Sequence, residues 1–528
     1  SSDLEKQNGS CPRYSGRNST FACQIKKINE SYVKITDISS YEQEFIDKTF
    51  AVHEDNYIFN NAYKSGFWDG KKHFFDLRYN TLPIGFVPKL IDEVKRKFNS
   101  EIKIDFCNKD LDIDFKDFYS NLNLKEEIEI RDYQQLGFES GIKKGKCILK
   151  AATGAGKSLI LWLLTKYLTE NMNKDVLIIV PQTQLVEQLS EDFELYGPFK
   201  DGIEVGKSTT KKLGKREAKK LGLDWQTLSD EKALSIDLSK KIVISTWQTL
   251  QHKEKAFFDR FEAILMDEVH HIDGATIQEI INHCVNAKHK IGMSGTLKPS
   301  KKSQMIYEGF FQEQLLLITP RQLIDRGYAT DVIIYPIVLH YPRKKGYKDL
   351  LEESNYLSYN EERIDFIVSL IENLYKKNEN NNTLVLFKSV EKGFWLDIQE
   401  RLQGKVENLF VVHGKVKLSD RLEAIKVSET KNNCIILASF STFSTGINLK
   451  NLHNVIFTES YKSLVKIGQS IGRGMRKHSS KDKVNIFDIT DKFENKNMTY
   501  KQYLERVKIY QELEYKMRDE LNYTIKKI

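Results

Sequence analysis

Between residues 122 and 491 the chain alternates short, nearly continuous apolar runs with longer stretches of helical period. The runs fall at 147–149, 176–180, 242–244, 263–266, 384–387, 409–412, 435–438 and 455–457. A strand that is apolar on both faces belongs in a parallel sheet covered by helices on either side. A stretch rich in helix and linker, 304–382, divides the series. The pattern predicts an α/β protein with two tandem domains, 116–328 and 329–491, each a parallel sheet flanked by helices. The tail 492–528 is charged and helical in period. Residues 21–115 read differently. Strand-like runs at 32–35, 57–59 and 72–77 and helical segments at 42–49 and 87–98 predict a small α+β accessory domain. Its turn Phe67-Trp68-Asp69-Gly70 carries an indole that reads either as core or as a stacking surface for a base. Residues 1–20 read as a flexible tail.

The chain has 528 residues, enough for several cores, and 81 Lys+Arg against 73 Asp+Glu give a net charge of +8. That balance permits a nucleic-acid partner without requiring one. A hydrophobic fraction of 40% excludes a wholly disordered chain, and 28 Gly with 9 Pro exclude a collagen-like one. No apolar run approaches the length of about 18 residues that a membrane helix needs. The cysteines at 11, 23, 107, 147, 284 and 434 show no CxxC spacing and read as buried free thiols of a reducing compartment. His270, His271, His283 and His289 lack the Cys or HExxH pattern of a zinc site. The insert 206–239 is dense in lysine between Lys207 and Lys220, which suits either a solvated face or a phosphate-tracking patch.

The strongest chemical signal is Ala151-Ala152-Thr153-Gly154-Ala155-Gly156-Lys157-Ser158, set between a predicted strand and a predicted helix. Small residues let successive backbone N–H groups surround phosphates, and the following helix N-terminus favours the anion. Lys157 is placed to reach the β- and γ-phosphates of ATP and Ser158 to hold Mg²⁺. The strict pattern has Gly where this chain has Ala151. Asp267-Glu268-Val269-His270 follows an apolar strand directly, which puts two carboxylates at the strand tip where ligands of parallel sheets bind. Asp267 suits a Mg²⁺ contact and Glu268 the activation of the attacking water. Gln469-Ser470-Ile471-Gly472-Arg473-Gly474-Met475-Arg476 places Arg473 and Arg476 on one helical face. From the second domain they would reach the γ-phosphate as arginine fingers.

Phosphate loop, DEVH, Ser294-Gly295-Thr296 and QSIGRGMR, in this order, resemble the superfamily 2 helicases. The resemblance implies two RecA-like domains, ATP and Mg²⁺ as cofactors, and nucleic acid as partner. It makes Arg131-Asp132-Tyr133-Gln134 the adenine-reading motif. The nucleotide set is then Arg131, Gln134, Thr153, Gly154, Ala155, Gly156, Lys157, Ser158, Gly446 and Gln469. Pro181-Gln182-Thr183 and Ser245-Thr246-Trp247-Gln248 resemble the strand-contact motifs, and Phe443-Ser444-Thr445-Gly446-Ile447-Asn448 the fifth motif. Thr183, Thr246 and Thr445 are the implied backbone contacts, with Trp68 as a DNA-binding residue of the accessory domain; each Thr also suits a purely structural role. Asn448 stands where many relatives carry Asp. The stretch 57–86 and the motif variants are similar to those of tailed-phage recombination and repair helicases. That likeness implies ATP-driven remodelling of forks, four-way junctions and R-loops. Single-stranded and branched DNA are the expected partners, with RNA–DNA hybrids as a further one. A monomer in the cytoplasm of an infected bacterial host is expected. The alternative is a viral ATPase that releases transcripts from polymerase complexes.

Overall fold

The computed structural model describes residues 23–99, 102–106, 110–206, 240–342, 347–377, 380–391, 393–444, 449–461, 468, 471–472, 475, 477–494 and 497–526. It divides into two units, 1–109 with 308–310, and 110–307 with 311–528. The insert 207–239, Thr445, Gly446, Asn448, Gln469, Arg473 and Arg476 lie outside the described residues.

The first unit holds a four-stranded sheet in the order Thr81–Pro83, Tyr32–Thr36, Gln24–Lys27, Lys103–Ile104. Ala51–His53 and Lys71–His73 form a separate antiparallel pair. Helix Ser40–Thr49 opens on a reciprocal cap between Ser39 and Glu42. Helix Val87–Phe98 buries Val87, Leu90 and Val94 on one face. Two expected strands differ. Residues 57–59 form a 3-10 turn, because Asn56 reverses the chain at φ 61°. The run expected at 72–77 ends at His73, because Phe74 and Phe75 both turn inward and break the alternation of a strand.

All eight apolar runs of the second unit lie in strands. One sheet has seven parallel strands, ordered Glu313–Ile318, Lys146–Ala151, His289–Ser294, Ala263–Asp267, Val176–Val180, Ile242–Thr246, Glu204–Gly206. The other runs Asn408–Val412, Cys434–Ser439, Thr383–Phe387, Asn454–Phe457, Lys483–Phe493, Asp331–Tyr341, with Lys516–Met517 and Leu521–Thr524 on its far edge. It too is parallel throughout. These are the two RecA-like layers. Residues 110–115 join the first of them rather than the accessory module. Phe115 and Phe118 pack on Phe138 with ring centroids 5.1 and 5.0 Å apart.

Two regions depart from expectation. The presumed linker 304–382 contains the 11-residue strand Asp331–Tyr341, which has Pro336 at its middle. Proline cannot donate to a ladder and is normally excluded from interior strands. Here the far-edge partners pair with Ile333–Ile334 and with Ile337–His340. Pro336 falls in the gap between them, so its missing N–H leaves no bond unmade. The tail, expected to be purely helical, supplies helix Met498–Glu512 and then those two strands. Fully buried Arg506 grips Asp488 at 2.9 and 2.8 Å and Ser460 Oγ at 3.0 Å. Buried Glu353 accepts from the backbone N–H groups of Met498 and Thr499 at the helix start. A charge buried this way must be paired, so the helix is fixed to the second sheet. Cys23, Cys147, Cys284 and Cys434 are buried and unbridged.

Candidate active site

The phosphate loop leaves the C-terminal end of Lys146–Ala151 and enters helix Lys157–Lys166. Gly154 and Gly156 take φ of 86° and 74°, values that favour glycine. Ala151 is the last strand residue and fully buried, so the fold asks for no glycine there. Lys157 Nζ lies 3.4 Å from the Ala151 carbonyl oxygen. Ser158 Oγ lies 2.8 Å from Tyr196 Oη, a hydroxyl pair that ties the loop to the end of helix Thr183–Tyr196.

Arg131 and Gln134 sit at the start of helix Asp132–Lys144. Gln134 is buried, and its amide is turned to the protein. Nε2 donates to the Ala155 carbonyl at 2.9 Å, and Oε1 accepts from the Arg131 N–H at 2.9 Å. Tyr133 Oη also donates to the Ala155 carbonyl at 2.9 Å and accepts from Arg131 at 2.8 Å. Tyr133 lies within the expected motif but is not among the expected nucleotide contacts, and the sequence does not reveal the role of its hydroxyl. The Arg131 guanidinium stacks 4.0 Å over the Tyr328 ring, and Arg326 grips Asp132 at 2.8 Å through both carboxylate oxygens.

The carboxylates stand one strand away. His289–Ser294 separates the phosphate-loop strand from Ala263–Asp267, with Met293 opposite Asp267 and Ser294 opposite Lys150. Glu268 turns off the strand tip at φ 50°, a left-handed conformation that side chains adopt rarely. Its Oε2 lies 3.1 Å from Ser294 Oγ and 3.2 Å from His270 Nδ1. Burial and then the adjacent Glu268 charge push the Asp267 carboxyl up to about 6. Burial acts on Glu268 in the same sense, but the His270 hydrogen bond and the Lys157 charge outweigh it and hold Glu268 down at about 2. The two neighbouring carboxyls are thus moved in opposite directions, Asp267 up and Glu268 down. Ser158 and Asp267 fit Mg²⁺: a hydroxyl and one carboxylate beside a phosphate cradle are the sparse protein set this ion uses. Asp267 Oδ1 accepts the Glu268 N–H at 2.9 Å, which leaves Oδ2 for the ion. No group of three or more metal-ligating side chains occurs among the described residues.

The second RecA-like domain meets this loop through backbone. A Cβ placed on Gly472 would stand 2.4 Å from Thr153 Cβ, and one on Gly468 would stand 3.1 Å from Thr296 Oγ1. Met475 is held from two sides: its carbonyl accepts the Thr330 N–H at 2.8 Å, and its sulfur accepts Tyr515 Oη at 3.4 Å. Gly472 and Met475 bracket Arg473-Gly474, and Met475 directly precedes Arg476 in sequence.

The expected strand contacts divide. Thr183 is exposed at the first position of its helix. Thr246 is buried, and its hydroxyl caps the turn Trp247–Leu250 by accepting from the Thr249 N–H. Exposed Gln248 donates to the Pro181 carbonyl at 3.2 Å and joins the two motifs on adjacent strands, where Thr246 lies opposite Val180. In the first unit Trp68 is half-buried, with its indole N–H donating to the Lys71 carbonyl at 2.9 Å.

The chain matches the family described as "Type III restriction enzyme, res subunit" over residues 127–299 and the "Helicase conserved C-terminal domain" over 362–478. It is 32% identical over 473 residues to the ATP-dependent DNA helicase uvsW of Enterobacteria phage T4, covering 87% of this chain and 89% of that one. It is 23% identical to the probable helicase D10 of Escherichia phage T5, covering 67% and 68% of the two chains. The DEAD-box helicase Mss116, solved with single-stranded RNA and UDP-BeF, shares the fold at 14% identity. The TM-score is 0.52, with 79% of this chain and 81% of that one covered.

Proposed function

The chain belongs to the superfamily 2 ATP-dependent helicases, and from that membership we propose that it remodels branched DNA — forks, four-way junctions and R-loops — in phage recombination, repair and replication. The observation that carries this reading is the extent of the likeness to the phage T4 DNA helicase. A share of 87% exceeds what residues 127–528 contain, so the likeness runs into the accessory module. That module is surface beyond the two motor domains. Branched DNA, where duplex and single strands meet, is a substrate that can use it.

In the motor, Lys157 and the loop N–H groups hold the ATP phosphates, with Ser158 and Asp267 toward Mg²⁺. When bound, the ion neutralises charge on the phosphates. Glu268 takes a proton from the attacking water, oriented by His270 and Ser294. Arg473 and Arg476 meet the charge that builds on the γ-phosphoryl group, a contribution of roughly 10³–10⁵ in rate for such fingers. Gln134, Tyr133 and Arg131 hold the loop from behind, and Gly446 and Gln469 complete the nucleotide contacts. Thr183 and Thr445 follow the sugar–phosphate backbone, and Thr246 shapes the turn beside them. The protein works as a monomer in the host cytoplasm; no helix among the described residues is long and apolar enough to cross a membrane.

The test is ATP turnover and strand remodelling with single-stranded DNA, a fork, a four-way junction, an R-loop and RNA. Branched DNA should be unwound with the wild type and left intact with Lys157→Ala, which should still bind DNA. Glu268→Gln should bind ATP and hardly turn it over. Remodelling by neither protein, or equal ATPase in all three, contradicts the proposal.

A further inference from the structure

The accessory module is close to neutral: over 21–109 it carries 14 Lys and Arg against 13 Asp and Glu. Bulk charge therefore does not make it a DNA-binding surface, and a specific feature is needed. The chain supplies one between Glu54 and Gly70. This excursion is closed at its base, where the Glu54 N–H donates to the Gly70 carbonyl at 2.9 Å. Inside it, Tyr57 stacks on His53 at 4.1 Å and meets Tyr63 edge-on at 4.8 Å. Gly70 is required there at φ 78°, because a Cβ would stand 2.5 Å from the Tyr57 ring. The Trp68 N–H donates to the Ala62 carbonyl at 3.1 Å, and its indole is tied to Lys71.

This scaffold holds Trp68 in and turns its neighbour out. Phe67 is 92% exposed, the most exposed large hydrophobic side chain among the described residues, with Phe59 at 69% and Ile58 at 50% on the same excursion. Leaving a phenyl ring in water forgoes the burial that normally places it. A rigid loop that presents one is built to meet something apolar. Lys64, Lys71 and Lys72 lie within a few residues of it in sequence, against Asp69, whose carboxylate is taken by His73 at 3.0 Å. An aromatic tip beside cations suits bases that have lost their pairing partner, with phosphates next to them.

We propose that Phe67, on the Glu54–Gly70 excursion, is the wedge that stacks on an unpaired base at a DNA branch point. Trp68 holds the loop instead of touching DNA. The inference rests on the branched-DNA reading above and assigns it a residue.

The experiment uses the full chain. Phe67→Ala should lower the rate of fork and junction remodelling by roughly 5- to 150-fold, the range for one lost base–aromatic stack. ATPase stimulated by single-stranded DNA should stay at the wild-type rate. Phe67→Trp should restore remodelling. With 2-aminopurine at the branch, the wild type and Phe67→Trp should quench its fluorescence and Phe67→Ala should not. Trp68→Ala should lower the thermal midpoint, which Phe67→Ala should leave unchanged. Remodelling by Phe67→Ala at the wild-type rate, or a loss that Phe67→Trp does not rescue, overturns the wedge. Failure of the wild type itself to remodel any branched DNA overturns the reading beneath it.

Discussion

Replacing Gly472 by alanine isolates the contact between the two RecA-like domains. The backbone there is helical and its φ is outside the left-handed range, so alanine is conformationally free to enter. As a helix former alanine is better than glycine by about 1 kcal/mol, so the substitution alone should stabilise its own domain. The added methyl, however, would stand 2.4 Å from Thr153 Cβ and 2.8 Å from Thr153 Cγ2. Thr153 is β-branched and anchored in the phosphate loop, so it cannot swing aside as a long side chain would. Overpacking of this kind costs about 1–3 kcal/mol. Only the closed arrangement bears that cost, which lowers its population relative to the open one roughly 5- to 150-fold. ATPase turnover with single-stranded DNA should fall by that factor if closure delivers Arg473 and Arg476. ADP, which lacks the γ-phosphoryl group, should bind with nearly unchanged affinity. Gly414→Ala is the control, because nothing lies within 4 Å of its added Cβ. Turnover by Gly472→Ala within twofold of wild type would refute the argument that closure through this contact limits hydrolysis.

Two further outcomes follow from the same geometry. Gln134→Ala removes hydrogen bonds to Ala155 and to the Arg131 N–H. At about 0.5–1.5 kcal/mol each, the KM for ATP and GTP should rise together by roughly 5- to 150-fold; a change confined to the ATP:GTP ratio would instead mean direct base reading. Burial lowers Lys481 to about 7, below its ordinary value of 10.5. Between those values the unfolded chain binds a proton that the folded one does not, so stability rises with pH across the window. Lys481→Met should raise the urea midpoint most near pH 7 and flatten its pH dependence; an unchanged pH profile would show that Lys481 keeps its charge when folded.

How much of this was legible in the sequence depended on where the signal was stored. Strands such as 176–180 are buried on both faces, so their composition alone reveals them. The strand His289–Ser294 is not evident from the apolar pattern, although the motif Ser294-Gly295-Thr296 at its end is. It carries buried Lys290 and, at Gly292, a position where a Cβ would stand 2.6 Å from Val269. Those residues answer to neighbours far away in sequence and break the apolar run. Asp331–Tyr341 was hidden by Pro336, whose tolerance comes from a gap between two partner strands that no local rule can see. The tail showed its helical period but not its docking, which rests on buried Arg506 reaching Asp488 and on buried Glu353 at the helix start. In the site, Lys157, Asp267 and Glu268 were visible as candidates because the chemistry expected of them needs those residue types at fixed places. Tyr133 and Tyr196 were not, because a tyrosine hydroxyl that braces a loop looks in sequence like any packed aromatic.

The unforeseen contacts have a shared consequence for the motor. The segment Arg326–Thr330 touches the nucleotide motif on one side, through Arg326–Asp132 and Tyr328–Arg131, and the arginine motif on the other, through Thr330 and Met475. The exposed ion pair is worth about 0–1 kcal/mol and the cation–π contact about 0.5–1 kcal/mol. Ala151, Ala152 and Ala155 share a buried cluster with Leu323, Ile471 and Met475, at about 0.8 kcal/mol per methyl at most. Closure held by terms this small amounts to a few kcal/mol. Moving an equilibrium from 1:99 to 99:1 takes about 5.5 kcal/mol, which differential contacts to a γ-phosphate can supply and hydrolysis can withdraw. A larger apolar interface would lock the domains together; one with no small-residue contact would leave them unbiased. The alanines of the phosphate loop, Ala151 included, keep its share of this buried cluster small.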